Sequence, residues 1–147
     1  MRWATVVVIA VMAAGGCSDL REFRGDWHGP RVGDSPLVSV GVSAGARAEL
    51  DIADIDAHGL RGTLSIDGVV TGAALESLAG AEADALADMT FAGAPLRVYL
   101  SFIAIPDQGG EALALVALFD DHRIEVRVLR GGTSPLYAIF ALTETTP

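Results

Sequence analysis

The sequence predicts a mainly β domain, an antiparallel meander of about seven or eight strands that closes as a small barrel or sandwich. Three observations support this fold class. Apolar and polar residues alternate along much of the chain, short turn-forming stretches separate the alternating runs, and a single segment has helical spacing. Closure of the sheet is favoured because it leaves no exposed strand edge.

The first half of the chain predicts strands with one buried face and one wet face. Residues 37–42 place three valines on one face, and residues 46–52 alternate apolar with charged side chains. After a turn signal at 57–59, residues 60–66 alternate in the same way. Such period-two patterns are typical of strands that cover a core on one side.

The second half of the chain predicts strands of a different kind. Residues 95–105, 111–119 and 135–142 are apolar on both faces, which is typical of strands in the middle of a core. Residues 124–128 alternate valine and isoleucine with charged side chains. Turn residues separate these runs at 106–110, 120–122 and 131–135.

One Ala-rich segment, near residues 73–88, breaks the strand pattern. Leu75, Leu78, Leu86 and Met89 recur near helical spacing, while Gly80 lies in the middle at a cost of about 1 kcal/mol relative to alanine. The segment therefore predicts one helix, or two short ones, crossing an end of the sheet.

The N-terminal residues have the layout of a cleavable secretory signal. Arg2 precedes an apolar run too short to span a membrane, and small residues lead up to Cys17, the one cysteine of the chain. This stretch resembles the bacterial lipobox. The resemblance implies a signal peptide at 1–16, a lipidated cysteine and short tether at 17–22, and a single β-rich domain at 23–147.

A lipobox also implies a cellular address for the protein. Acyl chains such as palmitate on Cys17 would anchor the chain to the membrane of a bacterial cell envelope, since two or more chains give stable anchoring. Ser18 favours the outer membrane over the inner one, although Asp19 leaves the inner membrane open. An ordinary secretory signal with an incidental cysteine is the alternative.

The charge of the chain excludes several partners. All ten basic residues are arginine and one lies in the signal, so with 19 acidic residues the mature charge is 9 − 19 = −10. That balance argues against nucleic acid and against electrostatic docking on anionic lipid. Lysine is absent, which excludes Schiff-base chemistry on a lysine side chain, and no motif predicts a cofactor.

Residues 23–29, with the sequence FRGDWHG, carry a G-x-W motif at the start of the first predicted strand. The motif resembles the opening of the calycins, which are the lipocalins and fatty-acid-binding proteins. The resemblance implies that Trp27 plugs one end of a barrel and that Arg127 or Arg130 packs over the indole. A tryptophan that simply closes a β core is the alternative.

A calycin relation would make the protein a carrier of an apolar ligand. Aromatic side chains would then supply the walls or the plug of its cavity. The candidates are Trp27, Tyr99, Phe102, Phe119 and Tyr137, together with Phe140.

The acidic group Asp51, Asp54 and Asp56 lies where the alternation slips between Ile52 and Ile55. The slip predicts a β-bulge or the approach to a turn. Clustered carboxylates can ligate Ca²⁺, and a solvated acidic face is the alternative. The three histidines, at positions 28, 58 and 122, lack the spacing of a zinc site and suggest surface turns.

The stretch GVSAG, residues 41–45, fits the G-x-S-x-G pattern of a nucleophile elbow around Ser43. The elbow needs a following helix, whereas the next residues predict a strand. The sequence therefore favours a non-enzymatic, lipid-anchored envelope protein that binds a partner protein or acts structurally. A lipocalin-like carrier is the second hypothesis, and a small serine hydrolase is the third.

Overall fold

A computed structural model describes residues 19–33, 40–78, 80, 91 and 93–146. They contain eight strands and two short 3-10 turns. The strands are β1 (Gly25–Pro30), β2 (Arg47–Ile55), β3 (Gly59–Ile66), β4 (Val70–Leu78), β5 (Arg97–Ala104), β6 (Glu111–Phe119), β7 (Arg123–Arg130) and β8 (Leu136–Glu144). The first 3-10 turn is Leu20–Phe23, and the second is Pro106–Gln108.

The strands follow one another around a closed barrel in chain order, and each is antiparallel to the next. The predicted meander is therefore confirmed, and of the two closures considered the barrel is observed. Its seam lies between β1 and β8, where Trp27 is opposite Glu144 and His28 is opposite Thr143.

Gly29 allows the two strands at the seam to approach each other. A Cβ atom at this position would collide with the main-chain oxygen of Ala141 and lie 2.9 Å from the Cα of Leu142. Only a residue without a side chain therefore fits between β1 and β8 at this level.

The connections alternate between the two ends of the barrel because the strands alternate in direction. The first 3-10 turn, the β2–β3 turn, the β6–β7 turn and the end of β8 lie at one end, which we call the Trp27 end. The β1–β2 loop and the β3–β4, β5–β6 and β7–β8 connections lie at the opposite end.

The interior of the barrel is one contiguous apolar cluster. Its largest side chains are Trp27, Tyr99, Phe23 and Phe140, each at most 1% exposed. Eight strands enclose a space that side chains can just fill, and inward residues from all eight strands contribute to the cluster.

The helix predicted near 73–88 is wrong for residues 73–78, which belong to β4. Inward-facing Ala73, Leu75 and Ser77 are buried, and β4 pairs with β3 along most of its length. Gly72 has a φ of 63° at a break in this register, and such a backbone does not continue a helix. Residues 79 and 81–90 lie outside the described residues.

The strand predicted at 37–42 is not found in its described part. Val40 makes an isolated bridge to Tyr137, and the chain then bends at Gly41, whose φ is 73°. A turn follows, in which the amide of Ala46 donates to the carbonyl of Ser43. Residues 37–39 lie outside the described residues. The number of strands is still eight, because β4 was not predicted and makes up for the missing strand at 37–42.

The outer surface of the barrel has two chemically different halves. The outward residues of β1–β4, which we call the polar wall, are mainly charged or hydroxylated: Asp26, His28, Arg47, Glu49, Asp51, Arg61, Thr63, Ser65, Thr71 and Glu76. The outward residues of β5–β8, which we call the apolar wall, are mainly hydrophobic: Val98, Leu100, Phe102, Leu113, Leu115, Ala117, Phe119, Leu129, Tyr137, Ile139 and Ala141.

The apolar wall contains a second hydrophobic cluster, separate from the interior. Val98, Leu115, Ala117 and Phe119 are buried there, and Phe91 packs against them. This cluster explains why β5 and β6 are apolar on both faces: one face fills the barrel, and the other covers its outside.

Candidate functional site

Trp27 closes one end of the barrel. The first 3-10 turn brings Phe23 beside it, with the two ring centroids 5.7 Å apart, and the indole N–H donates to the carbonyl of Phe23 at 2.9 Å. Asp19 caps this turn by accepting from the amide of Arg21. The turn and the tryptophan thus form one unit.

His122 covers this unit from the β6–β7 turn. Its ring centroid lies 5.0 Å from that of Trp27 and 5.3 Å from that of Phe23. Its Nε2 atom lies 3.0 Å from a carboxylate oxygen of Glu144 at the end of β8. We call Phe23, Trp27 and His122 the plug. The plug connects the first strand, the last strand and the β6–β7 turn.

Neither arginine proposed for this position lies over the indole. Arg127 faces outward on β7, where its guanidinium lies 4.1 Å from the ring centre of Phe91 and bonds Glu125. Arg130 lies at the opposite end of the barrel and donates to the carbonyl of Gly109. The missed residue is His122, the one non-glycine residue with positive φ among those described.

The aromatic residues proposed as cavity walls lie on two sides of the barrel wall. Trp27, Tyr99 and Phe140 point inward and are buried in the main cluster. Phe119 is buried in the outer cluster, Phe102 is 72% exposed on the outside, and Tyr137 is half-buried there. The structure therefore does not bring these side chains together around one space.

Tyr99 is anchored in the interior near the Trp27 end. Its hydroxyl donates to the carbonyl of Asp56 in the β2–β3 turn at 2.6 Å. Burial is the main reason that the pKa of this phenol rises to about 12. Tyr99 therefore stays neutral and ties the β2–β3 turn to the barrel.

Recesses open to solvent on the outside of the described part of the chain. One of about 480 Å³ lies on the polar wall across β1–β3, between Asp26 and Ser65. Another of about 400 Å³ lies by the β3–β4 turn, and a third of about 590 Å³ lies by the β2–β3 turn. Polar residues outnumber apolar residues in the lining of each recess.

The three aspartates proposed for Ca²⁺ have separate roles. Asp51 faces outward in mid-strand on β2, opposite Asp26 and Thr63. Asp54 follows a β-bulge, as the slip in alternation predicted, and Asp56 lies in the β2–β3 turn. Among the described residues, no group of three or more His, Cys, Asp or Glu is placed to hold a metal ion.

Both Asp54 and Asp56 already have partners. Arg61 donates to Asp54 at 2.8 Å and Arg24 bonds its other oxygen, and these two arginines lower the pKa of that carboxyl. Asp56 accepts from the amides of His58 and Gly59, and these bonds lower its pKa. The aspartates therefore stabilise a bulge and a turn.

Ser43 and the residues whose types could activate it as a nucleophile lie at different ends of the barrel. Ser43 is in the β1–β2 loop, which is followed by strand β2, whereas His58, Asp121 and His122 lie in turns at the Trp27 end. His28 lies on the polar wall and bonds Thr145. The structure does not bring these residues together.

Cys17 lies outside the described residues. The described chain starts two residues later, at the cap of the first 3-10 turn. None of the described helices has the length and apolar character needed to cross a membrane.

Comparisons with protein-family models, curated proteins and solved structures gave no match to this chain.

Proposed function

We propose that the protein is a lipid-anchored component of the bacterial cell envelope that binds a partner protein and is not an enzyme. Acyl chains on Cys17 would hold it at the membrane, with the outer membrane favoured by Ser18. The observation that carries the proposal is the contrast between an interior filled with side chains and an outside with a largely apolar half.

The filled interior supports binding at the surface. Carriers hold an apolar ligand inside a cavity, whereas here inward residues from every strand contact one another in a single cluster. The recesses at the surface are open to solvent, and the residue types of a nucleophilic site lie at opposite ends of the barrel.

The position of the first 3-10 turn supports a barrel held close to the membrane. The turn begins at Leu20, three residues after Cys17, and packs directly on the barrel through Phe23. A tether this short would keep the Trp27 end at the bilayer surface and direct the opposite end away from it.

Mass spectrometry of the chain extracted from membranes tests the anchor. We expect a mature chain that begins at an acylated Cys17, and we expect Cys17→Ala to leave the membrane fraction. An unmodified Cys17, or a Cys17→Ala variant that stays with the membrane, would contradict the anchor.

Native electrophoresis of the detergent-solubilised protein tests binding. We expect the chain to migrate as part of a complex well above the 15.2 kDa of the full 147-residue sequence. Migration as a bare monomer, in a detergent that preserves other envelope complexes, would contradict partner binding while leaving the anchor intact.

Carriage of an apolar ligand is a second candidate, favoured by the plug at the Trp27 end. The calycin resemblance implies a tryptophan that plugs one end of a barrel, and Trp27 is buried at one end of this barrel. Native mass spectrometry of the protein purified from its own cells tests it. A co-purified lipid would support the carrier, and a bare chain mass would count against it.

A further inference from the structure

Five apolar side chains form a continuous strip across the apolar wall, close to the end opposite Trp27. Each is directly opposite the next in neighbouring chain segments: Phe102, Leu113, Leu129, Tyr137 and Val40. Phe102 is 72% exposed, Val40 is 44% exposed, and the three between them are partly exposed. We call this row the apolar strip.

We propose that the apolar strip docks a basic, amphipathic segment of a partner protein. This inference rests on the proposed function and identifies the surface through which it acts. Exposed apolar side chains that are contiguous mark contact sites far more often than scattered ones do. Phenylalanine is among the residue types enriched at protein interfaces, and Phe102 is the most exposed large hydrophobic side chain among the described residues.

The dimensions of the strip fit a secondary-structure element of a partner. Neighbouring strands lie about 4.8 Å apart, so a row across five segments is about 19 Å long. This length matches about three and a half turns of an α-helix, whose apolar face would lie along the row. The barrel is closed, so the strip is a sheet face and offers no free strand edge for pairing.

The strip lies far from the membrane to which the anchor would attach the protein. The described chain begins at the Trp27 end, whereas every residue of the strip lies near the opposite end. Strands of eight residues tilted by about 40° give a barrel about 20 Å tall. The tether is short, so this geometry favours a protein over lipid as the occupant.

Charge favours a basic partner over a second copy of the chain. Each mature chain carries a net charge of −10, counted from nine arginines and 19 acidic residues, so two copies repel each other. Glu111 and Asp107 are exposed at the rim beside the strip without an ion pair in the described part of the chain, whereas Arg130 at the same rim donates to Gln108 and Gly109. Basic residues flanking an apolar face would complement both features.

Site-specific photo-crosslinking in the producing cells tests the proposal. A benzophenone amino acid replaces Phe102 in one variant and Thr63, an exposed residue of the polar wall, in a matched control. We expect position 102 to yield one protein adduct, whose crosslinked segment is identified by mass spectrometry as amphipathic with net positive charge. Position 63 should yield none.

Two substitutions sharpen the test because each leaves the crosslinker in place. Leu129→Asp puts a charge into the strip, and Glu111→Arg reverses a charge at its rim. We expect each to lower the adduct yield from position 102 by about tenfold, the effect of losing a hot-spot contact. Glu76→Arg on the polar wall is the control and should leave the yield unchanged.

The outcomes separate failure of the strip from failure of the proposed function. An adduct from position 63 alone would overturn the strip while supporting partner binding elsewhere on the barrel. A lipid adduct, an adduct between two copies of the chain, or an acidic segment at position 102 would overturn the inference. Absence of adducts at both positions, with the native complex also absent, would overturn both proposals.

Discussion

The polar wall and the apolar wall enclose the same interior but differ in what their outward side chains do. On β1–β4 the outward residues are charged or hydroxylated, and ion pairs such as that of Asp54 with Arg61 lie in solvent. On β5–β7 a second cluster is buried beneath Phe91 and the arginines of β7. One half of the barrel thus has a single hydrophobic layer, and the other half has two.

This difference shows that strands with apolar residues on both faces need not lie in the centre of a sandwich. In this barrel the alternate residues of β6 enter two clusters, one inside the barrel and one outside. The outer cluster adds buried area on one side only, so we expect stability to depend on the apolar wall more than on the polar wall.

The largest effect should come from removing an aromatic side chain from the outer cluster. Phe119 is 3% exposed and contacts Phe91 and Arg123. We expect Phe119→Ala to lower the free energy of unfolding in urea by about 3 kcal/mol. Thr63→Ala on the polar wall is the control and should change it by less than about 0.5 kcal/mol. Equal effects would remove the distinction between the walls.

The seam between the two walls should be the next most sensitive place. Gly29→Ala forces a methyl group against the main chain of β8, and we expect it to cost about 2 kcal/mol of unfolding free energy. Gly45→Ala, in the β1–β2 loop where a Cβ meets nothing within 4 Å, should be nearly neutral. A neutral Gly29→Ala would show that the seam can open without loss of stability.

The buried ion pair of the apolar wall should contribute more to stability than an exposed ion pair. Glu125 is 9% exposed and accepts from Arg127 at 2.6 Å, with Arg123 within 3.9 Å. We expect Glu125→Gln to cost about 1.5 kcal/mol, since it weakens a charge-assisted bond at a buried site. Asp121→Asn, which alters an exposed pair with Arg123, should cost less than about 0.5 kcal/mol in the same urea titration.

The smallest effect should be the acid response of the polar wall. Arg61 and Arg24 lower the pKa of Asp54 below its ordinary value of 3.8, so the ionised carboxylate stabilises the fold above that pH. This contribution is lost as pH falls through the lowered pKa. We therefore expect wild type to lose stability more steeply than Asp54→Asn below about pH 4, and added salt to reduce the difference.

An acid titration of unfolding that gives parallel curves for wild type and Asp54→Asn would contradict this prediction. It would mean that Arg24 and Arg61 interact as favourably with water as with the carboxylate of Asp54. The comparison between the walls would then rest on apolar packing alone.

The strands were predictable wherever side-chain period and turn chemistry agree. Residues 46–52 and 60–66 alternate strictly, and the slip between Ile52 and Ile55 correctly marked the bulge before Asp54. The β4 strand was missed because alanine and leucine have high helix propensity and their spacing fitted a helix. Hydrogen bonding to β3 overrides that local preference. The residues of the segment itself do not indicate this pairing.

The plug could be predicted only in part. Trp27 was recognisable as a residue that closes the core, because the G-x-W motif begins a strand. Its cover was not, since His122 is brought there by the topology of β6 and β7 from 95 positions along the chain, 122 − 27. The apolar strip could not be predicted from the sequence for the same reason. Phe102 and Tyr137 were identified as aromatic, but which face each occupies depends on register.

The seam also determines when the barrel can close during synthesis and folding of the chain. The contact of His28 with Thr145 spans 117 residues, so the first strand finds its second neighbour only when the last strand has been made. Until then β1 has an unpaired edge, and the barrel remains an open sheet. Folding that depends on contacts so distant in sequence is slow. A chain exported through a membrane would therefore complete its fold only after its last strand had crossed.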